Sequence, residues 1–467
     1  AVMNLAGYSA AEADSFRKVV AKKKGDEMLP QRQKFIAGAI KNGIAEATAN
    51  LIFDDWETFA RYGFNKCLPA DVEVIDAETG RLVRIGDLAQ NRTTIEHTVT
   101  CDTTQLRLGR GVVTDVLDNG VKPVYRLTTQ LGRQIEATAN HPFYTFDSWR
   151  ALGELRPGDQ IALPRRIPIE GRREWPDHQV IVLGHLLAEG NLCHPHGVYY
   201  YTQSDDQLRD YASALEEFDN TQATTALHKS TYSVYSRRAD RDRESGVFVW
   251  AGQLGLLRKN ARTKSIPDEV FELKNRQIGL LISRMWEGDG HINEPGRSLF
   301  YATSSERMAR QLQHLLLRLG IISRLRQVTF PYREGRIGYQ LFVTGNDNMR
   351  RFAEKVGVHF VSAGRREKLE RIISIVPASS GTRDIVPLGV KQIIRQYKDA
   401  RGLTWGQVRE QAGAAQREFH PTASASKAGF TRAVIGQLAQ FFESNELRRY
   451  SESDIYWDKV VSIEYVG

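Results

Sequence analysis

Two stretches a hundred residues apart could carry the same chemistry. Each is an apolar run closed by an acid and a glycine. The first is Ile181-Val182-Leu183-Gly184-His185-Leu186-Leu187-Ala188-Glu189-Gly190, and the second ends Ile282-Ser283-Arg284-Met285-Trp286-Glu287-Gly288-Asp289-Gly290. Runs of this kind read as helices that a glycine terminates. If the helices lie side by side, Glu189 and Asp289 meet. Two carboxylates at one point repel unless a cation sits between them, and a hard divalent ion, most simply Mg²⁺, takes carboxylate and water oxygens. Such an ion activates water and stabilises the leaving oxygen of a phosphodiester. One acid at a helix end is most often only solvated. Two at matched positions favour function.

A second candidate is nucleophilic. Cys67 is followed about seventy residues later by Thr138-Ala139-Asn140-His141. A thiol with a hydroxyl and an imidazole can attack a carbonyl and protonate the leaving group. A buried structural cysteine is the bland alternative. Cys193-His194-Pro195-His196 has metal-ligand residue types but no evident fourth ligand, so it reads as a loop beside the first acid.

The elements that must position these groups change along the chain. Apolar residues recur at helical steps through residues 35–44 and 47–62, so 1–66 reads as helices, with Lys22, Lys23 and Lys24 as a solvated helix end. From Cys67 to about Pro164, short alternating stretches punctuated by Gly, Pro, Asp and Asn read as closely spaced strands. Helices and strands then mix to about residue 360. Helices return over 385–445, and 454–467 reads as a strand. The mixed region repeats at an offset of one hundred. Gly190 matches Gly290, Tyr201 matches Tyr301, Ser204 matches Ser304, Leu208 matches Met308 and Leu215 matches Leu315. Two related halves imply a pseudo-twofold unit, suited to a roughly palindromic duplex.

Composition sets the class. The chain has 467 residues, 41% hydrophobic and 26% charged, which excludes a disordered or fibrous protein. No apolar run approaches the ~18 residues that span a bilayer. Three cysteines do not make a disulfide framework, and a reducing cytoplasm is expected. A net charge of +8 adds modest weight to a nucleic-acid partner.

Residues 182–190 and 282–290 resemble the paired motifs of the LAGLIDADG homing endonucleases. The likeness extends to Lys264-Ser265-Ile266-Pro267 and to residues 301–306. It implies that Glu189 and Asp289 are metal-binding catalytic acids, one per DNA strand. It also implies that Lys264 assists by offsetting developing phosphate charge. The partner is double-stranded DNA and the unit acts as a monomer. Strands after each motif, with Arg237, Arg238, Arg324, Arg326 and Arg333 nearby, would lie in the major groove. Arg284 and His185 stand where that family packs small or apolar residues, a departure that counts against close helix pairing.

The β-rich stretch resembles the Hint fold of inteins, on Cys67, the Thr138–His141 block, residues 82–88 and Leu155-Arg156-Pro157-Gly158-Asp159. The likeness implies that Cys67 converts the preceding amide to a thioester, with Thr138 and His141 polarising that bond and protonating the leaving amine. The terminal His-Asn of that family is absent, so 454–467 reads as a return into the fold that stops short. Both ends read as cut, and the chain alone is not expected to complete splicing. Residues 1–66 resemble the finger region of the bacterial DNA polymerase III alpha subunit, most distinctively at Phe59-Ala60-Arg61-Tyr62-Gly63-Phe64-Asn65-Lys66. Residues 403–413 and 429–438 are spaced like a helix-turn-helix, a possible DNA clamp.

The expected architecture is multidomain. An α-helical extein fragment covers 1–66, and an all-β splicing domain covers 67–165 and resumes at 454–467. A pseudo-twofold α+β endonuclease covers 166–375, and a small helical insertion covers 376–453. A splicing element with a nuclease that only binds DNA is the alternative.

Overall fold

A computed structural model describes residues 2–22, 25–62, 67–329, 335–376, 384–414 and 429–467. Lys23, Lys24, Asn65, Lys66 and Arg333 lie outside them. The chain opens with α1 (Val2–Ala6), α2 (Ala10–Lys22), α3 (Gly25–Lys41) and α4 (Glu46–Tyr62). Their apolar faces bury Phe16, Phe35, Ala39 and Phe53 together, as the helical spacing predicts.

The β-rich part holds β1 (Glu73–Ile75), β2 (Leu82–Arg84), α5 (Ile85–Ala89), β3 (His97–Asp102), β4 (Arg107–Val112), β5 (Val124–Thr129), β6 (Gln134–Thr138), β7 (Pro142–Tyr144), β8 (Trp149–Ala151) and β9 (Gln160–Pro164). The mixed region follows with α6 (Asp177–Glu189), β10 (Gly190–Asn191), β11 (Tyr199–Thr202), α7 (Asp205–Glu216), β12 (Thr221–His228), β13 (Thr231–Arg238) and α8 (Gly246–Gln253). It continues with α9 (Asn275–Asp289), β14 (Gly290–Asn293), β15 (Ser298–Thr303), α10 (Glu306–Arg318), β16 (Ser323–Thr329), β17 (Ile337–Val343), α11 (Asn346–Lys355) and α12 (Ala363–Ile375). The last elements are β18 (Ile385–Pro387), α13 (Val390–Ala400), α14 (Trp405–Gln411), β19 (Gly429–Thr431), α15 (Arg432–Phe442), α16 (Asn445–Glu452) and β20 (Ile455–Tyr465). Among the described residues no helix is long and apolar enough to cross a membrane.

β20 is the longest strand and ties the β-rich part together. Its first half pairs with β9 and its second half with β5, across a bulge between Val460 and Ser462, giving the order β6-β5-β20-β9. Everything from α6 to α16 therefore lies between two adjacent strands of one sheet. α13, α15 and α16 do not pack alone. Ile394, Ile435 and Leu447 share a core with Leu106, Tyr144, Phe146 and Trp457 of the β-rich part.

The mixed region is built from two copies of one unit. The sheets have matching orders, β10-β11-β13-β12 and β14-β15-β17-β16. In each copy the acid-bearing helix runs directly into the first strand. The structure corrects the register of the repeat. Gly190 lies opposite Tyr200, whereas Gly290 lies opposite Tyr301. The second hairpin is one residue longer, so beyond it the offset is 101. Tyr200 is the counterpart of Tyr301, both fully buried, while Tyr201 is exposed. Likewise Ser204 and Ser305, not Ser304, cap α7 and α10 by accepting from Gln207 N and Met308 N.

The helix pair also differs from expectation. His185 and Arg284 do not hold α6 and α9 apart. A Cβ on Gly184 would lie 2.5 Å from the Arg284 Cβ, and one on Gly288 would lie 2.7 Å from the Ala188 Cβ. Both polar side chains instead turn onto Asp210 of α7. His185 Nε2 is 2.8 Å from Asp210 Oδ2, and Arg284 donates to both carboxylate oxygens at 2.7 and 2.9 Å. Burial pushes Asp210 up, but the bonds from His185 and Arg284 bring its net shift down, so it stays ionised. Burial lowers His185. Asp210 of the first copy thus holds Arg284 of the second.

Removing the shared acceptor leaves a buried guanidinium without its carboxylate, with only Ser283 Oγ and the His359 carbonyl to accept from it. Asp210→Ala is expected to cost about 3–5 kcal/mol in urea unfolding. A loss below about 1 kcal/mol would show that the network does not hold the halves together.

Candidate functional site

Glu189 and Asp289 are the last residues of α6 and α9, so the close crossing near Gly288 brings them together. A Cβ at Gly288 would also come within 3.1 Å of Glu189 Cγ. Tyr301 Oη donates to Asp289 Oδ2 at 3.3 Å. Asp289 is pushed up to about 7, first by burial and next by Glu189, with Lys264 and Tyr301 opposing. Repulsion between the acids is therefore a real cost of the fold without a cation.

Each helix end is capped by a cation. Lys264 Nζ donates to the carbonyl oxygens of Leu186, Leu187 and Ala188 at 2.8, 3.3 and 3.2 Å. Arg365 Nη1 donates to those of Trp286 and Gly290 at 3.0 and 2.7 Å. The Leu186 and Trp286 carbonyls also accept from Gly190 N and Gly290 N, so each cation adds its charge to the negative end of a helix, where positive charge is favoured. Burial pulls Lys264 down to about 8, with Asp289 and Glu189 opposing. Glu287 is held by other partners. It is 1% exposed and accepts from Val361 N, Ser362 N and Gln207 Nε2 at 2.8, 3.0 and 3.1 Å, anchoring the start of α12. An open cleft of about 660 Å³ beside Glu189 is lined by Thr202, Gln207, Glu287 and Arg365.

The donor set fits a hard divalent cation. It offers carboxylate oxygens whose mutual repulsion such an ion would relieve. Among the described residues no group of three or more His, Cys, Asp or Glu side chains has metal-binding geometry. Glu189 and Asp289 would hold the ion, and water or substrate oxygens would complete its shell. Cys193 is exposed, and its thiol meets the Lys259 carbonyl at 3.5 Å, in a loop.

The second cluster surrounds Cys67. Its backbone N–H donates to Thr138 Oγ1 at 3.2 Å, and Thr138 N donates to the Cys67 carbonyl at 3.2 Å. The Thr138 hydroxyl donates to Asn140 Oδ1 at 2.7 Å, leaving its lone pairs toward Cys67. His141 follows in the same turn, its N–H on the Thr138 carbonyl at 2.9 Å. Asn119 Nδ2 approaches Cys67 Sγ at 3.5 Å. The sequence singles out Cys67, Thr138 and His141, and the structure brings Thr138 onto Cys67 with His141 beside it. It adds Asn119, Asn140, Arg365 and Tyr301. Asn140 lies inside the quoted block. Asn119 and Arg365 carry no local signal, because only the tertiary fold brings them in.

The raised Asp289 has a testable sign. The folded state holds its proton more tightly than the unfolded chain, so between about pH 4 and about pH 7 the cation-free protein loses stability as pH rises. Asp289→Asn is expected to flatten that part of a Tm-against-pH curve. An unchanged slope would place the charge conflict elsewhere.

Known proteins share parts of this chain. Residues 276–357 match the family described as LAGLIDADG-like domain, and residues 1–43 match the bacterial DNA polymerase III alpha subunit finger domain. The replicative DNA helicase DnaB of Rhodothermus marinus is 34% identical over 415 residues, covering 86% of this chain and 43% of that one. This chain therefore spans less than half the length of that relative. A DnaB intein from Synechocystis sp. PCC 6803 is 38% identical over 21% of this chain and 68% of its own, with a TM-score of 0.20. I-DmoI in complex with DNA and Mn is 11% identical over 38% of this chain and 96% of its own, with a TM-score of 0.29. The LAGLIDADG match covers the second copy of the repeat, and the first copy has the same order of elements. The chain thus carries a LAGLIDADG-like domain at residues 276–357 and a segment of the bacterial DNA polymerase III alpha finger domain at residues 1–43.

Proposed function

We propose that this chain is part of a bacterial DNA polymerase III alpha subunit interrupted by an intein. In this reading the intein combines self-splicing chemistry with a site-specific, monomeric DNA endonuclease, and the protein acts in the cytoplasm. The observation that carries the nuclease reading is the mirrored pair of acid-bearing helices, each running into a matching sheet. Glu189 and Asp289 bind Mg²⁺, and each serves one strand of a DNA duplex. Bound there, the ion supplies an activated water and charge stabilisation for the leaving oxygen. Tyr301 fixes the orientation of Asp289. Lys264 steadies the end of α6 and offsets the acids' charge.

In the splicing reading, Cys67 loses its thiol proton to solvent and the thiolate sulfur bonds to the carbonyl carbon of residue 66 as the amide C–N bond breaks. The Cys67 amine leaves with a proton from His141, and a thioester remains. Thr138, which accepts the Cys67 N–H, holds that amide in place. A nuclease reduced to DNA binding is the second reading. On its side is Lys264, with hydrogen bonds to three backbone carbonyls.

The test is linearisation of supercoiled plasmid carrying the uninterrupted polymerase site, with Mg²⁺. Glu189→Gln and Asp289→Asn are each expected to slow it by at least about 100-fold, as loss of a charge-stabilising group does. Cys67→Ala should leave it intact while abolishing thiol-induced cleavage before residue 67. A folded wild-type chain that binds the plasmid without cutting it would favour the second reading. Cleavage that survives both acid variants would overturn the site assignment.

A further inference from the structure

Two side chains from different loops touch different parts of Cys67. Thr138 engages its backbone, accepting from the N–H that becomes the leaving amine. Asn119 meets the sulfur instead, with Nδ2 at 3.5 Å from Sγ. Sulfur is larger than oxygen, and that separation suits an amide N–H donating to it. The sulfur is the attacking atom, so a donor placed there acts on the nucleophile itself.

The loop between β4 and β5 delivers Asn119 to this place. β5 starts at Val124, which lies opposite Thr138 in the β5–β6 ladder. The loop therefore ends beside the residue that holds the Cys67 amide. Asp118-Asn119-Gly120 forms a tight polar turn. Asp118 Oδ1 accepts from Gly120 N at 2.8 Å, and Gly120 has φ +67°, a left-handed conformation that glycine takes without steric cost. Apolar packing does not set the position of Asn119. Its neighbours Leu117 and Val121 are largely or wholly exposed, so the turn gains little from burial. A polar side chain held outside the core and aimed at a nucleophile suits a chemical role better than a structural one.

We propose that Asn119 is a further catalytic residue of the splicing site, donating its amide N–H to the Cys67 sulfur during attack, an assignment that rests on the splicing reading above. A hydrogen bond to a charged acceptor is stronger than one to a neutral acceptor. The bond therefore tightens when the thiol proton leaves to solvent and negative charge rests on sulfur. It also aims the sulfur, which rotation about the Cα–Cβ bond would otherwise let swing away. As the sulfur bonds to the carbonyl carbon of residue 66, charge passes to the carbonyl oxygen. The amine then takes its proton from His141 as the C–N bond breaks. When an added thiolate attacks the thioester, its own sulfur bonds to that carbon and Cys67 departs as a thiolate, which the same N–H receives. Asn119 serves the sulfur in both steps, while Thr138 serves the amide.

The test treats the full chain with dithiothreitol and follows cleavage before residue 67. Asn119→Ala is expected to slow it about tenfold, the low end for loss of a hydrogen bond to a charged group. Asn119→Asp keeps the shape, removes the donor and adds negative charge, so it should slow cleavage at least as much. A second measurement reads the sulfur alone, as the rate at which iodoacetamide alkylates Cys67, followed by mass spectrometry of its peptide with exposed Cys193 as internal reference. Both Asn119 variants should lower that rate by about threefold, less than cleavage, because a thiolate without its hydrogen bond is a better nucleophile. Thr138→Ala should slow cleavage yet leave alkylation unchanged. Circular dichroism checks that each variant is folded. Asn119 variants that cleave as fast as the wild type overturn the role of Asn119 and leave the splicing reading standing. So does slowed cleavage with unaltered alkylation, which would make Asn119 a support for the loop alone. A folded wild-type chain that dithiothreitol does not cleave overturns the splicing reading, and this assignment with it.

Discussion

The crossing of α6 and α9 is the constraint on which the rest depends. The helices approach until a Cβ on Gly184 or Gly288 would clash with the other helix. That closeness forces two carboxylates together at one end, where each helix also presents the negative end of its dipole. The surroundings answer this charge conflict. Lys264 caps one helix end, Arg365 caps the other, and Tyr301 holds the more buried acid. Midway along the crossing, Asp210 gathers His185 and Arg284, which allows polar residues at a contact that small apolar ones would fill more simply. The two carboxylates supply the oxygen ligands that a hard cation takes.

A second constraint joins this unit to the β-rich part. β20 fills the gap between β9 and β5, so the chain must return to the sheet it left at Pro164. The turn between β5 and β6 is the hinge of that junction. Leu131 N donates to Asp458 Oδ2 of β20 at 3.0 Å, while its carbonyl accepts from Gln313 Nε2 and Leu325 N, each at 2.9 Å. Leu131, Ile167, Leu317, Ile322 and Tyr456 form a small core there. The Cys67 cluster and the paired acids thus sit on scaffolds that pack directly against each other, which favours folding as one body over two tethered modules.

Much of this was legible in the sequence where the signal is local. Glu189 and Asp289 stood out because a helix stop and an acid recur together. The abrupt change of texture at Cys67 reflects a real change from helices to strands, since alternation and turn residues are local properties. The repeat was legible but its register was not. A one-residue difference between two hairpins is invisible to a fixed offset, and it paired exposed Tyr201 with buried Tyr301. His185 and Arg284 misled for a related reason. Whether a polar residue fits a helix crossing depends on a partner elsewhere, and Asp210 carries no mark of that role in its own helix. Asn119 and Arg365 were missed for the same cause.

The central claim is that Glu189 and Asp289 share one divalent cation. It is tested most directly by calorimetric titration of the cation-free chain with Mg²⁺ at pH 7, in two buffers of different ionisation enthalpy. With Asp289 titrating at about 7, binding should expel about half a proton, and less as the pH is raised. Asp289→Asn should abolish that release. Binding with no proton release, or release that persists in the variant, would contradict a cation held between the two acids.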